Sequence, residues 1–236
     1  MGKRKALKIV SAVFLLCALV IVAFEVLHVR KIAVSGCETR SEDDIIALSG
    51  LETGVSVFSV DTQKAIDALG RDPYIEPVDV SISYPDCVKV TIRERKEAAY
   101  IKKEDTLLII DSKGWLLRII TNQDAPPYPE AKGVMLGEIS VGKRVCGPDT
   151  FQLDVLDKVL SQAGTSEVTL NSIDVKYAAD VVLELNDGFL VEIGDDMNLV
   201  EKFGLLKSSI ARLKEMGKTG GIIDVAAPPN AYYREK

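Results

Sequence analysis

Residues 61–95 read DTQKAIDALGRDPYIEPVDVSISYPDCVKVTIRER, and two periodicities meet within them. Asp61 is a helix cap; Ala65, Ile66 and Leu69 share one helical face, and Gly70 and Pro73 stop the helix. From Val78 the period drops to two. Val78, Val80, Ile82 and Tyr84 alternate with polar residues, Pro85-Asp86 supplies a turn, and Val88, Val90 and Ile92 alternate on the return. This stretch predicts a helix followed by a β-hairpin.

Toward the N-terminus, Ile32, Val34 and Gly36 alternate with Lys31, Ala33 and Ser35, the pattern of a short half-buried strand. Ser41 precedes Glu42-Asp43-Asp44 and the apolar Ile45, Ile46 and Leu48, with Gly50 closing the segment, so a capped short helix is expected there. The order from Lys31 to Arg95 is thus β-α-α-β-β.

Farther back, Ile9 to Phe24 contains Ser11 as its single polar residue. A helix needs about 20 residues to cross a bilayer core of about 30 Å, and the run through Leu27 nearly reaches this. Lys3, Arg4, Lys5 and Lys8 precede it, against Arg30 and Lys31 after it, so the charge rule puts the N-terminus in the cytoplasm and the bulk of the chain outside. We therefore expect a cytoplasmic tail at 1–8 and a single-pass transmembrane helix at 9–28. A cleaved signal peptide is the competing reading, but Ile21-Val22-Ala23-Phe24-Glu25 offers no A-x-A site. A lipoprotein signal would need a small residue where Leu16 precedes Cys17.

Toward the C-terminus a second α+β unit is expected from residue 98. Thr106–Ile110 and Trp115–Ile120 flank the turn Asp111-Ser112-Lys113-Gly114. Asn122 to Lys132, with Pro126, Pro127 and Pro129, reads as a stiff exposed loop. Leu153, Val155, Leu156, Val159 and Leu160 suggest a helix, and Val181–Leu185 and Phe189–Ile193 form a hairpin around Asn186-Asp187-Gly188. Asp195 or Asp196 then caps a long helix whose Leu199, Phe203, Leu206, Ile210 and Leu213 make one apolar seam. Ile222 to Val225 is a last core strand. The expected segments are 29–97, 98–229, and a tail or edge strand at 230–236.

Composition excludes several functions. The 236-residue chain has net charge −6, and its first 24 residues carry four cations and no acid, so the body is acidic, which argues against a nucleic-acid binder. One histidine, His28, and four scattered cysteines give no metal or haem pattern, and the glycines form no phosphate-binding loop. No cofactor or small-molecule substrate is expected. His28 sits at the expected membrane boundary, where an interfacial role is simpler than a catalytic one. Glu42-Asp43-Asp44 and Asp195-Asp196 fall at expected helix starts, where the helix dipole favours acids by roughly 0.3–1 kcal/mol, so paired-carboxylate hydrolysis is the weaker reading. A Cys37–Cys87 disulfide stays open, as does the state of Cys146.

The order of these segments resembles the FtsQ/DivIB family of bacterial cell-division proteins. Ile32-x-Val34-x-Gly36, Asp61 with Ile66 and Leu69, Pro73, Val78-x-Val80, Tyr84-Pro85 and Val90-x-Ile92-x-Glu94-Arg95 resemble its POTRA domain. Asp187-Gly188 before the long helix and Ile223-Asp224-Val225 resemble its β domain. The segment Pro126 to Pro148 aligns only loosely, and Ala226-Ala227 stands where family members often carry a basic residue.

The resemblance implies a non-enzymatic scaffold at the division septum that binds FtsB (DivIC)-like and FtsL-like bitopic proteins outside the cytoplasm. The matching contact stretch includes Ala231, Tyr232, Tyr233 and Arg234. Neighbouring tyrosines on a strand point to opposite faces, so one can pack inward while the other meets a partner; the alternative is a frayed terminus. A POTRA-containing module in polypeptide transport or envelope assembly is the second functional reading.

Overall fold

The structure, a computed structural model, describes residues 13–15, 27–121, 126–146 and 151–235. The expected cytoplasmic tail and nearly all of the expected span at 9–28 lie outside the described residues. Among the described residues no helix is long and apolar enough to cross a membrane. The chain divides into two compact units between Glu94 and Arg95.

The first unit comprises β1 (Lys31–Ser35), α1 (Glu42–Ser49), a 3-10 turn (Val57–Ser59), α2 (Thr62–Leu69), β2 (Ile75–Ser83) and β3 (Cys87–Glu94). The sheet order is β1-β3-β2, with β1 parallel and β2 antiparallel to β3. Ser41 caps α1 by accepting the Asp44 N–H at 3.1 Å, and Asp61 caps α2 through Lys64 N–H at 3.0 Å. Gly50 ends α1 in the left-handed conformation that favours glycine. Ile45, Ala65 and Leu69 from the helices meet Ile32, Ile75, Val80, Val88, Val90 and Ile92 from the sheet in one buried cluster. Each fully buried branched side chain contributes about 1.5–3 kcal/mol, so this cluster, not the eight-residue helices themselves, holds the unit together.

The alternation expected from Val78 to Tyr84 is broken. The β2–β3 register shifts between Pro77 and Asp79, and Val78 is left 52 % exposed. Pro77 cannot donate to the ladder, and such an irregularity re-aims the following side chain. Tyr84 lies in the turn and is exposed as well. Leu27 and His28 already take part in the fold: the Leu27 carbonyl accepts Val57 N–H at 3.0 Å, and His28 bridges to Ser56.

The second unit comprises β4 (Ala99–Lys103), β5 (Thr106–Ile110), β6 (Leu116–Thr121), β7 (Glu130–Lys132), α3 (Phe151–Ser166), β8 (Leu170–Asp174), β9 (Val181–Leu185), β10 (Phe189–Gly194), α4 (Leu199–Glu215), β11 (Gly221–Asp224) and β12 (Tyr232–Arg234). Its nine strands run in the order β12-β11-β10-β9-β8-β7-β4-β5-β6. The α4 seam is as expected: Leu199, Phe203, Leu206 and Leu213 are buried and Ile210 packs against the same cluster. Both expected hairpins form.

Two expectations are corrected. The proline-rich stretch read as an exposed loop ends in β7, which pairs in parallel with both β4 and β8 and buries Ala131. With three residues, β7 is too short to show periodicity, yet it joins the two halves of the sheet. The second correction concerns the cap of α4. Asn198 occupies the cap position in the left-handed region with no side-chain cap bond, while Asp195 binds Lys202 Nζ at 2.6 Å and Asp196 pairs with Lys158. The acids neutralise neighbouring ammonium groups instead of the helix end.

Lys202 is 2 % exposed and also donates to the Asp195 carbonyl at 3.0 Å. Asp195 itself is half exposed, so water can take over its bonds if the ammonium is removed. Lys202→Met is therefore expected to change stability by less than about 1 kcal/mol, because an apolar isostere recovers the desolvation cost of the pair. Urea unfolding of the variant and parent checks this; a loss several times larger would show that the ion pair itself holds α4 in place.

Candidate functional site

The C-terminal edge of the nine-stranded sheet is built from β10, β11 and β12. β11 runs parallel to β10, and β12 returns antiparallel to β11 with Ile222 opposite Arg234, Ile223 opposite Tyr233 and Asp224 opposite Tyr232. The return loop is short. Asp224 turns it by accepting Ala226 N–H at 3.0 Å, and Asn230 N–H bonds to the Ala227 carbonyl at 3.2 Å.

Alternation along β12 sends its side chains to different surroundings. Tyr233 lies across from the buried Ile223, packs against the core, and donates its hydroxyl to the Gly220 carbonyl at 2.8 Å. Tyr232 is 61 % exposed. Arg234 reaches across β11 to Glu192 on β10, with its terminal nitrogen 2.6 and 2.5 Å from the two carboxylate oxygens. Ala231 is exposed just before the strand. Beyond it Glu235 pairs with Lys218, and that contact raises the lysine pKa and lowers the glutamate's. Of the four residues singled out in the sequence, Tyr232, Tyr233 and Arg234 form the edge strand, with Tyr233 as its internal anchor, and Ala231 leads into it.

Between this edge and the end of α4 lies a groove of about 320 Å³, lined by Arg212, Leu213 and Met216 of the helix segment and by Ala231, Tyr232 and Tyr233. Met216 and Tyr232 are both more than half exposed. An edge strand with an unpaired outer side, next to a groove of mixed apolar and cationic character, can take up an extended polypeptide through backbone bonds while the groove holds its side chains.

The sequence reading missed what holds the edge. Gly221 adopts φ +130°, and a Cβ there would lie 2.5 Å from Tyr233 Cε2 and 2.8 Å from the Arg234 carbonyl oxygen. The Tyr233 ring occupies the space a side chain would need. The signal was the Gly220-Gly221 pair at the start of a strand, where glycine marks close approach of another backbone.

The residues weighed for other chemistry do not converge. Glu42, Asp43 and Asp44 lie in the first turn of α1, and Asp195 and Asp196 are engaged with different lysines. Among the described residues no group of three or more His, Cys, Asp or Glu side chains could hold a metal ion. Cys37, Cys87 and Cys146 are free thiols, so the Cys37–Cys87 disulfide left open by the sequence is not formed.

Comparison with known proteins bears on both units. The family model of the POTRA domain, FtsQ-type, matches residues 27–95. The cell division protein DivIB of Clostridium botulinum (strain Hall) is 24 % identical over 99 % of this chain and 94 % of its own length. The cell division protein FtsQ of Corynebacterium glutamicum is 27 % identical over 90 % of this chain and 93 % of its own. The major extracytoplasmic domain of DivIB from Geobacillus stearothermophilus is 18 % identical with a TM-score of 0.32, covering 52 % of this chain and 96 % of that one; at that score the likeness adds nothing to the fold. The POTRA match begins at Leu27, whose carbonyl is already hydrogen-bonded to Val57, and the similarity to DivIB extends over nearly the whole chain, the second unit included. Residues 27–95 thus form a POTRA domain of the FtsQ type, and over most of its length the chain is similar to the cell-division proteins DivIB and FtsQ.

Proposed function

We propose that this protein is a non-enzymatic scaffold of the division machinery, anchored by residues 9–28 with its N-terminus in the cytoplasm. Its two units, a POTRA domain at 29–97 and a β domain at 98–229, stand outside the cytoplasm at the septum. The edge strand at 230–236 binds FtsB (DivIC)-like and FtsL-like bitopic proteins and so helps to control septal wall synthesis. What supports the reading is the edge strand itself: among the described residues β12 ends the nine-stranded sheet, with Tyr232 and Arg234 exposed on it. Tyrosine and arginine are the side chains that most often dominate interface energetics. Confinement to the membrane plane would raise the effective concentration of the protein toward other single-span proteins.

Tyr232→Ala is expected to weaken binding of an FtsB-like extracytoplasmic segment by roughly ten- to thirtyfold, the range for an exposed aromatic anchor. Because Tyr232 is mostly exposed, its loss leaves the fold intact. Titration of the segment against the parent and variant chains measures the effect; equal affinities would remove β12 from the interface. In dividing cells, an N-terminal fluorescent fusion is expected to form a mid-cell band that disappears when the division ring is disassembled. Uniform membrane fluorescence from a functional fusion would instead favour the second reading, a POTRA-bearing module of envelope assembly.

A further inference from the structure

One end of the first unit gathers elements that are distant in sequence. β1 starts there, the α1–α2 connection crosses it, and the β2–β3 turn closes it. The bonds are explicit: the Leu27 carbonyl accepts Val57 N–H at 3.0 Å, Val29 N–H donates to the Val55 carbonyl at 2.8 Å, and Arg30 N–H donates to the Asp86 carbonyl at 2.8 Å. On this end Phe58 is 72 % and Tyr84 63 % exposed. Their ring centroids lie 6.4 Å apart with the planes at 47°. Arg30 and Lys31 are exposed on this end, as is the acid Glu52, and Asp86 is half-buried there.

We infer that this end of the POTRA unit rests in the outer headgroup layer of the membrane, with Phe58 and Tyr84 as the inserted pair. The inference depends on the anchor reading given above, and chain length is what forces it. The apolar run predicted to span the bilayer extends through Leu27, and Leu27 is already bonded to the residue preceding Phe58. No linker separates the span from the fold, so the end that receives Leu27 faces the lipid surface. Two large aromatic side chains left mostly in water are costly on a soluble surface. At the bilayer interface the same rings bury their apolar bodies among the upper acyl chains while the tyrosine hydroxyl stays hydrated. Arg30 and Lys31 can keep their ammonium and guanidinium groups at phosphate level. The mixed charge of this end, two cations against two acids, means that the aromatic pair and not net attraction to anionic lipid supplies the contact. The consequence is orientational: a domain held both by its chain and by a two-ring contact loses freedom to tilt, which fixes the direction in which the rest of the chain leaves the membrane.

The full chain, reconstituted in phosphatidylcholine vesicles whose lipids carry bromine near the headgroup end of the acyl chains, tests this. Phe58→Trp and, as an independent probe, Tyr84→Trp are compared with Val78→Trp, an exposed position partway along β2 from that turn. The parent protein's Trp115 emission is subtracted. The expected result is emission at positions 58 and 84 that is blue-shifted and reduced by about half in brominated vesicles, with position 78 nearly unaffected. If the protein floats with the vesicles but positions 58 and 84 are quenched no more than position 78, the contact is refuted and the anchor stands. If the protein does not float with the vesicles at all, the anchor reading fails and the inference falls with it.

Discussion

Replacing Gly221 by valine is expected to reduce binding of an FtsB-like segment at least about a hundredfold, roughly 2.7 kcal/mol, while the remainder of the second unit stays folded. The reason is steric. Gly221 holds φ +130°, a conformation that costs a side-chain-bearing residue dearly, and its missing Cβ is the space filled by the Tyr233 ring and the Arg234 carbonyl. The carbonyl is backbone, so it cannot swing aside as a flexible side chain would. Valine at this position forces β12 off β11. The Tyr233 hydroxyl bond to Gly220 and the Arg234–Glu192 pair go with it. β11 keeps its parallel pairing with β10, and Ile223 stays in the core. Hydrogen exchange would show this directly, with protection lost at residues 232–234 and kept at 181–194. A variant that binds as tightly as the parent would mean that β12 is not the docking strand.

The second large effect is expected at the end of β3. Glu94 is 9 % exposed, and its carboxylate accepts Glu38 N–H at 2.9 Å, Thr39 N–H at 3.0 Å and Arg40 N–H at 3.1 Å, together with the Thr39 hydroxyl. Burial by itself would raise its pKa, but the Thr39 hydroxyl and the three backbone donors outweigh this and hold it at about 2, against an ordinary 4.5. The sign follows from the depressed value: the ionised form is favoured on folding, so the contribution is complete above the unfolded pKa of 4.5 and disappears as pH falls toward 2. The shift corresponds to about 3 kcal/mol at neutral pH. Glu94→Gln faces its amide NH2 toward donors, orphans at least one buried N–H, and is expected to cost about 3 kcal/mol. Urea unfolding of the full chain in detergent, repeated between neutral and acid pH, should show the gap between parent and variant narrowing on acidification. A gap that does not change with pH would mean that the cost comes from packing and not from the charge.

The two sites differ in how much the sequence reveals. Glu94 reads as one more polar residue in a hairpin, because its four donors come from the Cys37–Ser41 connection more than fifty positions away. Tyr232 and Tyr233 are visible as a pair at the end of the chain, and strand alternation alone predicts that one turns inward. Which one does so is decided by register: Tyr233 lies opposite Ile223, and the Gly220-Gly221 gap accepts its ring.

Local order determined the elements whose period is long enough to read. Caps at Ser41 and Asp61, the hairpin around Asp187-Gly188 and the α4 seam all rest on residues within about four positions of each other, where covalent geometry sets who meets whom. Tertiary structure decided the rest. β7 exists only because β4 and β8 flank it, and three residues between Pro129 and Gly133 carry no periodic signal of their own. Val78 leaves the core because the β2–β3 register shifts at Pro77, and Asp195 and Asp196 abandon the helix end because Lys202 and Lys158 are brought within reach. The strands beside β7, the β3 partner of Pro77 and the Lys158 partner of Asp196 are all distant in sequence. Even Lys202, seven positions from Asp195, meets it only through the turn before α4, so these energies enter only once the chain has folded.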